Sequence, residues 1–172
     1  MGDRFYTNKI NGINESGYRK ERFFGDRLGV TLPASFSALS ASEAATFFLY
    51  EKKPQVVLSD GGQVFFSMSI LEQALGTGEV LSAAEGIIRH LRQRYPGQVS
   101  KQPIICRNEA IPICRFTLFL PGAVKEGDKN HELFVFSFER KFALGSLSYP
   151  AVEKGRWQSC LRFMLESFEW FK

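Results

Sequence analysis

The sequence predicts an α+β protein in which an antiparallel β-sheet is sandwiched between helices (an α/β/α sandwich). Strand patterns outnumber helix patterns and are joined by short connections, which favours antiparallel neighbours. One strand, "ELFVFSF", is apolar on both faces: Phe134, Phe136 and Phe138 point one way, Leu133 and Val135 the other. Such a strand needs cover on both sides, so we expect helices on each face of the sheet.

The chain is long enough for one domain and short for two, at 172 residues. Hydrophobic residues make up 44% and charged residues 23%, as in ordinary globular proteins, and 17 phenylalanines supply large apolar surfaces for a core. Residues 1–17 are polar and rich in Asn and Gly. We therefore expect a flexible N-terminal arm over 1–17, followed by a single α+β domain over 18–172.

The first half of the domain shows two hairpins. "YRKERFFG" and "RLGVTLP" alternate apolar and polar residues around Gly25-Asp26, and three residues share the apolar face of the second strand: Leu28, Val30 and Leu32. Ser40 and Glu43 have capping-box spacing and predict the start of a short helix that ends before Pro54. "QVVLS" and "QVFFSMSI" form the second hairpin around the Asp-Gly-Gly turn at 60–62.

The second helix is the most regular pattern in the chain, "EVLSAAEGIIRHLRQRYPG". Its apolar residues recur at helical spacing, namely Val80, Ala84, Ile87, Ile88, Leu91 and Tyr95. Pro96-Gly97 ends it. Four strands follow, "QPIICR", "PICRFTLFL", "ELFVFSF" and "FALGSLSY", so the predicted order is ββαββαββββα.

A closing helix is predicted over "WQSCLRFMLESFEWF", Trp157 to Phe171. One broad apolar stripe faces the core: Trp157, Leu161, Met164, Leu165, Phe168 and Phe171, with Cys160 at its border. Phe163 and Trp170 are seven residues apart and fall together on the opposite, charged side. We predict that this pair binds a partner, because paired exposed aromatics favour interface hot spots. The alternative is that the arm or a loop covers them.

The chemically active residue types show no catalytic or metal-binding spacing. His90 and His131 have no ligands at metal-binding distance in sequence, and no P-loop or dinucleotide-binding motif is present. Cys106 and Cys114 flank a hairpin turn and could face each other. The odd cysteine count is no disulfide framework, and a reducing cytosol favours two reduced thiols. We predict no metal, no cofactor and no enzyme activity, with a site assembled from distant residues as the alternative.

Charge and hydropathy bound the location and the partners. A formal charge of +4 permits nucleic-acid binding without arguing for it, and "RHLRQR" and "YRKERFF" are better explained as solvated basic faces. No apolar run approaches the ~20 residues that a membrane helix needs. The start "MGDRFYTNKI" has no apolar core of a signal peptide and no lipobox cysteine, so we expect a cytoplasmic protein.

Several local stretches resemble the PsbP-like fold, shared by the Ran-binding import factor Mog and bacterial DcrB-like proteins. They are the hairpin ending in "GVTLPASF", the stretch "PQVVLSDGGQVFFSMSI", the long helix with "RYPG", the strands "ELFVFSFERKFALGSLSY" and the close "RWQSCLRFMLESF". The resemblance implies a binding role, because relatives act as accessory subunits, import factors or chaperones. The chain departs from DcrB by lacking the lipoprotein signal.

These observations favour a non-catalytic protein-binding module, an accessory factor or chaperone of bacterial origin. Its partner is expected to be another protein, and a homodimer is left open. A small enzyme and a weak nucleic-acid binder are the two alternatives. Membrane contact is not expected, and nucleic acid is an improbable partner.

Overall fold

The computed structural model describes residues 17–40, 42–43 and 54–172. Residues 1–16 of the expected arm lie outside these ranges, as does most of the predicted short helix. Its capping box is described: the Ser40 amide donates to Glu43 Oε2 at 2.8 Å, and the Glu43 amide donates to Ser40 Oγ at 3.3 Å.

The described residues form ten strands and two α-helices. In chain order they are β1 Tyr18–Phe23, β2 Leu28–Pro33, β3 Ser37–Ala38, β4 Val56–Asp60, β5 Val64–Ala74, α1 Val80–Arg94, β6 Ile104–Ile105, β7 Ile113–Leu120, β8 Lys129–Phe138, β9 Lys141–Pro150, α2 Lys154–Glu166 and β10 Glu169–Trp170. Short 3-10 turns, Thr77–Glu79 and Ala151–Glu153, lead into the two helices. Neither helix is long and apolar enough to cross a membrane.

The strands form two antiparallel sheets. A seven-stranded sheet has the order β3-β4-β5-β9-β8-β7-β6, and a three-stranded sheet has the order β1-β2-β10. All strand pairs among the described residues are antiparallel, and short loops join β1 to β2, β4 to β5 and β8 to β9. The predicted α+β class is confirmed.

The large sheet is covered on both faces, as the pattern of β8 requires. Helix α1 packs on β7 and β8 over a core that includes Val135 (the α1-side core), and Leu133 packs against this core. Phe134, Phe136 and Phe138 point into a second core under α2 (the α2-side core), where they are no more than 1% exposed. The small sheet shares in covering this second face, because Leu28, Val30 and Leu32 of β2 are fully buried in the same core.

The closing helix ends at Glu166, so its predicted extension to Phe171 is wrong. The Ser167 hydroxyl donates to the Met164 carbonyl at 2.6 Å and accepts from the Thr31 amide at 2.8 Å, which ties the helix end to β2. The chain then turns, and Glu169 and Trp170 pair with β2 as β10. Five predicted stripe residues are buried as expected: Trp157, Leu161, Met164, Leu165 and Phe168.

Glycine permits this ending. Gly29 lies opposite Glu169 in the small sheet, and a β-carbon at Gly29 would overlap the ring of Phe171. The chain end therefore lies flat on β2 only because this strand position has no side chain. The periodicity of the helix does not predict this contact between Phe171 and Gly29.

The three cysteines are free and buried. Cys106 belongs to the α2-side core and Cys114 to the α1-side core, so the sheet itself separates them. The expectation that they could face each other across a hairpin is wrong. Adjacent strand positions alternate between faces, and the two residues occupy positions of opposite orientation.

Candidate partner-binding surface

Two hairpin turns and strand β10 meet at one end of the molecule. They surround a cavity of about 390 Å³ whose lining includes six residues that define what we call the Trp170 surface: Arg27, Ile111, Glu139, Arg140, Trp170 and Lys172. Arg27 comes from the β1–β2 turn, and Glu139 and Arg140 form the β8–β9 turn. The surface is therefore built from segments that are far apart in sequence.

Trp170 is fixed by backbone pairing and by a ring contact, and part of its ring is exposed. It pairs with Leu28 in the small sheet, and the next residue, Phe171, donates its amide to the Arg27 carbonyl at 2.9 Å. The indole packs edge-on against the buried ring of Phe138, with centroids 5.2 Å apart. Trp170 nevertheless remains 39% exposed. A ring fixed in this way loses little conformational entropy when a partner covers it.

Arg27 is fixed by contacts on three sides. Its guanidinium carbon lies 5.2 Å from the Phe138 ring centroid, Nε donates to the Phe24 carbonyl at 3.0 Å, and Nη1 pairs with Glu139 Oε2 at 2.5 Å. Glu139 is thus the counter-ion of Arg27. Arg140 and Lys172 have no ion pair within the described ranges, so the surface keeps a cationic surplus.

Backbone strain is concentrated in the two turns. Four non-glycine residues in the described ranges have positive φ: Phe24 (56°), Asp26 (64°), Glu139 (49°) and Arg140 (64°). The first two lie in the β1–β2 turn, and the last two are the whole two-residue loop between β8 and β9. A loop of this length with two positive φ values normally carries Asn-Gly, because a β-carbon is disfavoured there. Strained residues of this kind cluster at functional sites.

A second cavity adjoins the first. It has a volume of about 300 Å³, and Arg27 and Glu139 line both cavities. The Lys141–Glu72 ion pair, at 3.1 Å, lies in the lining of the second cavity. The Arg27–Glu139 pair therefore lies between the two cavities. The cavity at Trp170 is apolar with cationic side chains that are unpaired among the described residues, and in the second cavity Lys141 is paired with Glu72.

Phe163 lies elsewhere. It packs on Tyr18 with ring centroids 4.7 Å apart, and Tyr18 pairs with Pro33 at one end of the β1–β2 hairpin. Trp170 pairs with Leu28 at the other end, five residues along the strand. At ~3.3 Å per residue, the two ends are ~16 Å apart. The shared helix face inferred for Phe163 and Trp170 is therefore wrong, because the helix stops between them; their roles in binding stay predictions.

A buried carboxylate lies on the sheet away from this surface. Glu132 is 0% exposed; its Oε1 accepts hydrogen bonds at 2.7 Å from Tyr149 Oη and Gln158 Nε2, and its Oε2 accepts one at 2.9 Å from Thr117 Oγ1. The side chain of Arg115 lies 3.6 Å away. Burial, together with this carboxylate, raises the pKa of Tyr149. The arrangement satisfies a buried charge and joins β7, β8, β9 and α2.

The thiols are poorly suited to nucleophilic catalysis. Burial raises the pKa of Cys160 to about 12 and that of Cys106 to about 11, and it also raises the pKa of Cys114. Thiolate is the reactive form, and burial disfavours it at all three cysteines. His131 lies in strand β8 and not in a loop, and burial lowers its pKa. The described residues contain no group of three or more metal-ligating side chains.

The sequence singled out Trp170 but missed its neighbours. Arg27, Glu139 and Arg140 read as ordinary polar turn residues. One signal was available: "FSFERKFAL" places Glu-Arg between two strong strand patterns, where a two-residue loop should carry Asn or Gly. An unfavourable residue choice in a required turn is a local cue to function.

Comparisons with known proteins identify the fold. No family model matches the chain, and no curated protein matches it in sequence. The solution structure of PsbP (CyanoP) from Synechocystis sp. PCC 6803 is similar, with 14% identity and a TM-score of 0.56 over 96% of this chain and 99% of that one. The Ran-binding protein MOG1P from Saccharomyces cerevisiae has 10% identity and a TM-score of 0.56, covering 88% and 94%.

A third similar structure is LpqN of Mycobacterium tuberculosis, which is involved in cell envelope biogenesis. It has 10% identity and a TM-score of 0.55, covering 90% of this chain and 91% of that one. At these identities the similarity shows the fold alone, and the predicted PsbP-like fold is confirmed. MOG1P is a Ran-binding protein, so at least one protein of this fold binds another protein.

Proposed function

We propose that this chain is a non-catalytic protein-binding module and that its partner docks on the Trp170 surface. The observation that carries the proposal is the β8–β9 turn, where Glu139 and Arg140 both adopt positive φ and both line the cavity beside Trp170. Each non-glycine residue in this conformation costs about 1–2 kcal/mol. Strain of that size is expected where the side chains are needed for another purpose.

The fold itself does not require these side chains. The exposed Arg27–Glu139 pair offsets only part of the cost, because ion pairs that are about half exposed contribute about 0–1 kcal/mol. Arg140 makes no ion pair within the described residues. Tryptophan and arginine are the residue types most enriched at the centres of interfaces, and here they line one cavity.

The proposal is tested by a variant that improves the fold and removes the side chains. Replacing Glu139→Asn together with Arg140→Gly supplies the residues that the turn prefers, so we expect a net gain of about 1 kcal/mol in the free energy of unfolding. We expect the same variant to lose the partner that the unmodified chain captures. Urea denaturation measures the first effect, and quantitative affinity capture measures the second.

Two single variants complete the test. Trp170→Ala should abolish capture and, because the partly buried ring packs on Phe138, should lower the free energy of unfolding by about 1–3 kcal/mol. Leu81→Ala is the matched control, because Leu81 is 41% exposed on α1, close to the 39% of Trp170, and lies outside the surface. Capture that survives both Trp170→Ala and the turn variant would refute the proposal.

A further inference from the structure

The charges around Trp170 indicate the chemistry of the bound segment, given the proposed function. We propose that the Trp170 surface binds an acidic segment of a protein that carries one large apolar side chain. The apolar side chain packs against Trp170, Ala110 and Pro112, and flanking carboxylates face Arg140 and Lys172. This goes beyond protein binding as such, because it specifies what the partner must present.

The floor of the cavity is apolar. Ile111 is fully buried, and the surface around it is formed by Ala110, Pro112 and the exposed part of Trp170. The volume of about 390 Å³ falls in the range of small-ligand pockets, so it admits one large side chain with its backbone. An apolar anchor in such a cavity gains free energy from the area that it removes from water.

The charged side chains around the cavity are not balanced. Three cationic side chains and one carboxylate side chain line the cavity, and that carboxylate, Glu139, is already paired with Arg27. Arg140 and Lys172 are left without a counter-ion among the described residues. Arg22 extends the cationic side, with its guanidinium carbon 3.8 Å from the ring centroid of Phe171. Carboxylates of a partner would neutralise these charges, and Arg140 can bind one carboxylate through two parallel hydrogen bonds.

The strained turn indicates that the position of the Arg140 charge matters, and not only the net positive charge of the surface. A lysine or arginine on a flexible loop would give the same net charge without the cost of a positive φ at Arg140. The turn instead fixes the direction in which Arg140 leaves the backbone, next to the edge-on indole. Pre-positioned charge beside an apolar cavity selects a segment with both features at a defined spacing.

Synthetic peptides test the charge preference directly. The probe is a fluorescein-labelled peptide, Gly-Glu-Glu-Phe-Glu-Glu-Gly, with three matched versions in which all Glu become Gln, all Glu become Lys, or Phe becomes Gly. Fluorescence anisotropy at physiological salt gives each affinity. We expect the acidic Phe peptide to bind about tenfold more tightly than the Gln version, since two partly exposed charge pairs are each worth up to about threefold to fivefold.

Variants assign the preference to the surface. Arg140→Gln combined with Lys172→Gln should remove most of the tenfold difference between the Glu and Gln peptides. Arg89→Gln combined with Arg92→Gln is the matched control, because it removes the same charge from an exposed face of α1 and should leave the difference unchanged. Trp170→Ala should weaken the Phe peptide toward the affinity of its Gly version.

Four results would overturn the inference. Equal binding of the Glu and Gln peptides, no binding of the acidic peptide, or a preference for the Lys peptide each contradicts an acidic segment. Tighter binding of a labelled single-stranded RNA ten-mer than of the peptide, lost with Trp170→Ala, would replace the peptide by a nucleic acid. Partner capture that depends on Trp170 while the peptides show no charge preference would leave the proposed function standing and refute this inference alone.

Discussion

Replacing Glu132 by Gln tests whether the buried carboxylate holds the sheet and α2 together. The substitution keeps the shape of the side chain but leaves one acceptor oxygen where two accept now. Oε1 serves Tyr149 and Gln158 at 2.7 Å, and Oε2 serves Thr117 at 2.9 Å. The amide oxygen can face only one of these groups, so its nitrogen must face the other.

The expected loss follows from these contacts. Two hydrogen bonds to a charged acceptor become neutral ones, a loss of about 1 kcal/mol each. Arg115, whose side chain is only 12% exposed, loses its ionic partner at 3.6 Å. Breaking a buried pair by removing one member costs about 3–5 kcal/mol, and the separate contributions agree with that range. We therefore expect the free energy of unfolding to fall by about 3–5 kcal/mol.

Urea denaturation followed by far-ultraviolet circular dichroism measures this loss. Tyr149→Phe should lose less, about 1 kcal/mol, because one donor disappears and the carboxylate keeps its other partners. Glu85→Gln on the exposed side of α1 is the control and should stay within about 0.5 kcal/mol of the unmodified protein. A loss below about 1 kcal/mol for Glu132→Gln would refute the interpretation of this carboxylate as a structural junction.

Three further outcomes are expected. Trp157→Ala should lower the free energy of unfolding by about 3–5 kcal/mol in the same urea assay, because the ring is only 3% exposed. Gly145→Ala should lower it by about 1–3 kcal/mol, because the added β-carbon would overlap the buried ring of Phe134; an unchanged value would mean that the ring can move. Burial lowers the pKa of His131, so the folded state binds fewer protons than the unfolded state and stability should fall as the pH drops below about 6.5. His131→Gln should flatten that decline between pH 7 and 5, whereas a decline that flattens equally with His90→Gln would contradict this cause.

Local sequence patterns were sufficient to predict the class of fold and most of its core. The alternation of β8 placed Phe134, Phe136 and Phe138 on one face and Val135 on the other, and both faces are covered in the structure. The apolar period of α1 located the helix that covers one face. These predictions succeed because periods of two and 3.6 residues follow from backbone geometry, which each segment carries with it.

The end of the last helix depends on contacts with residues distant in the chain. The apolar period runs on to Phe171, so nothing in the local pattern separates Glu166 from the residues after it. The stop comes from Thr31, whose amide donates to the Ser167 hydroxyl, and from Gly29, which leaves room for the Phe171 ring. Both residues belong to a strand more than a hundred positions earlier. A helical wheel shows only residues of the helix itself, so it cannot predict that contact.

The Trp170 surface was decided in the same way. The sequence shows an unused aromatic at Trp170, but its surroundings come from two hairpin turns that only folding brings together. Arg27 and Glu139 are 112 residues apart in the chain and 2.5 Å apart in the structure. Local periodicity fixes which face of a strand is apolar; which turns meet depends on strand order and on how the two sheets pack, and those are properties of the whole core.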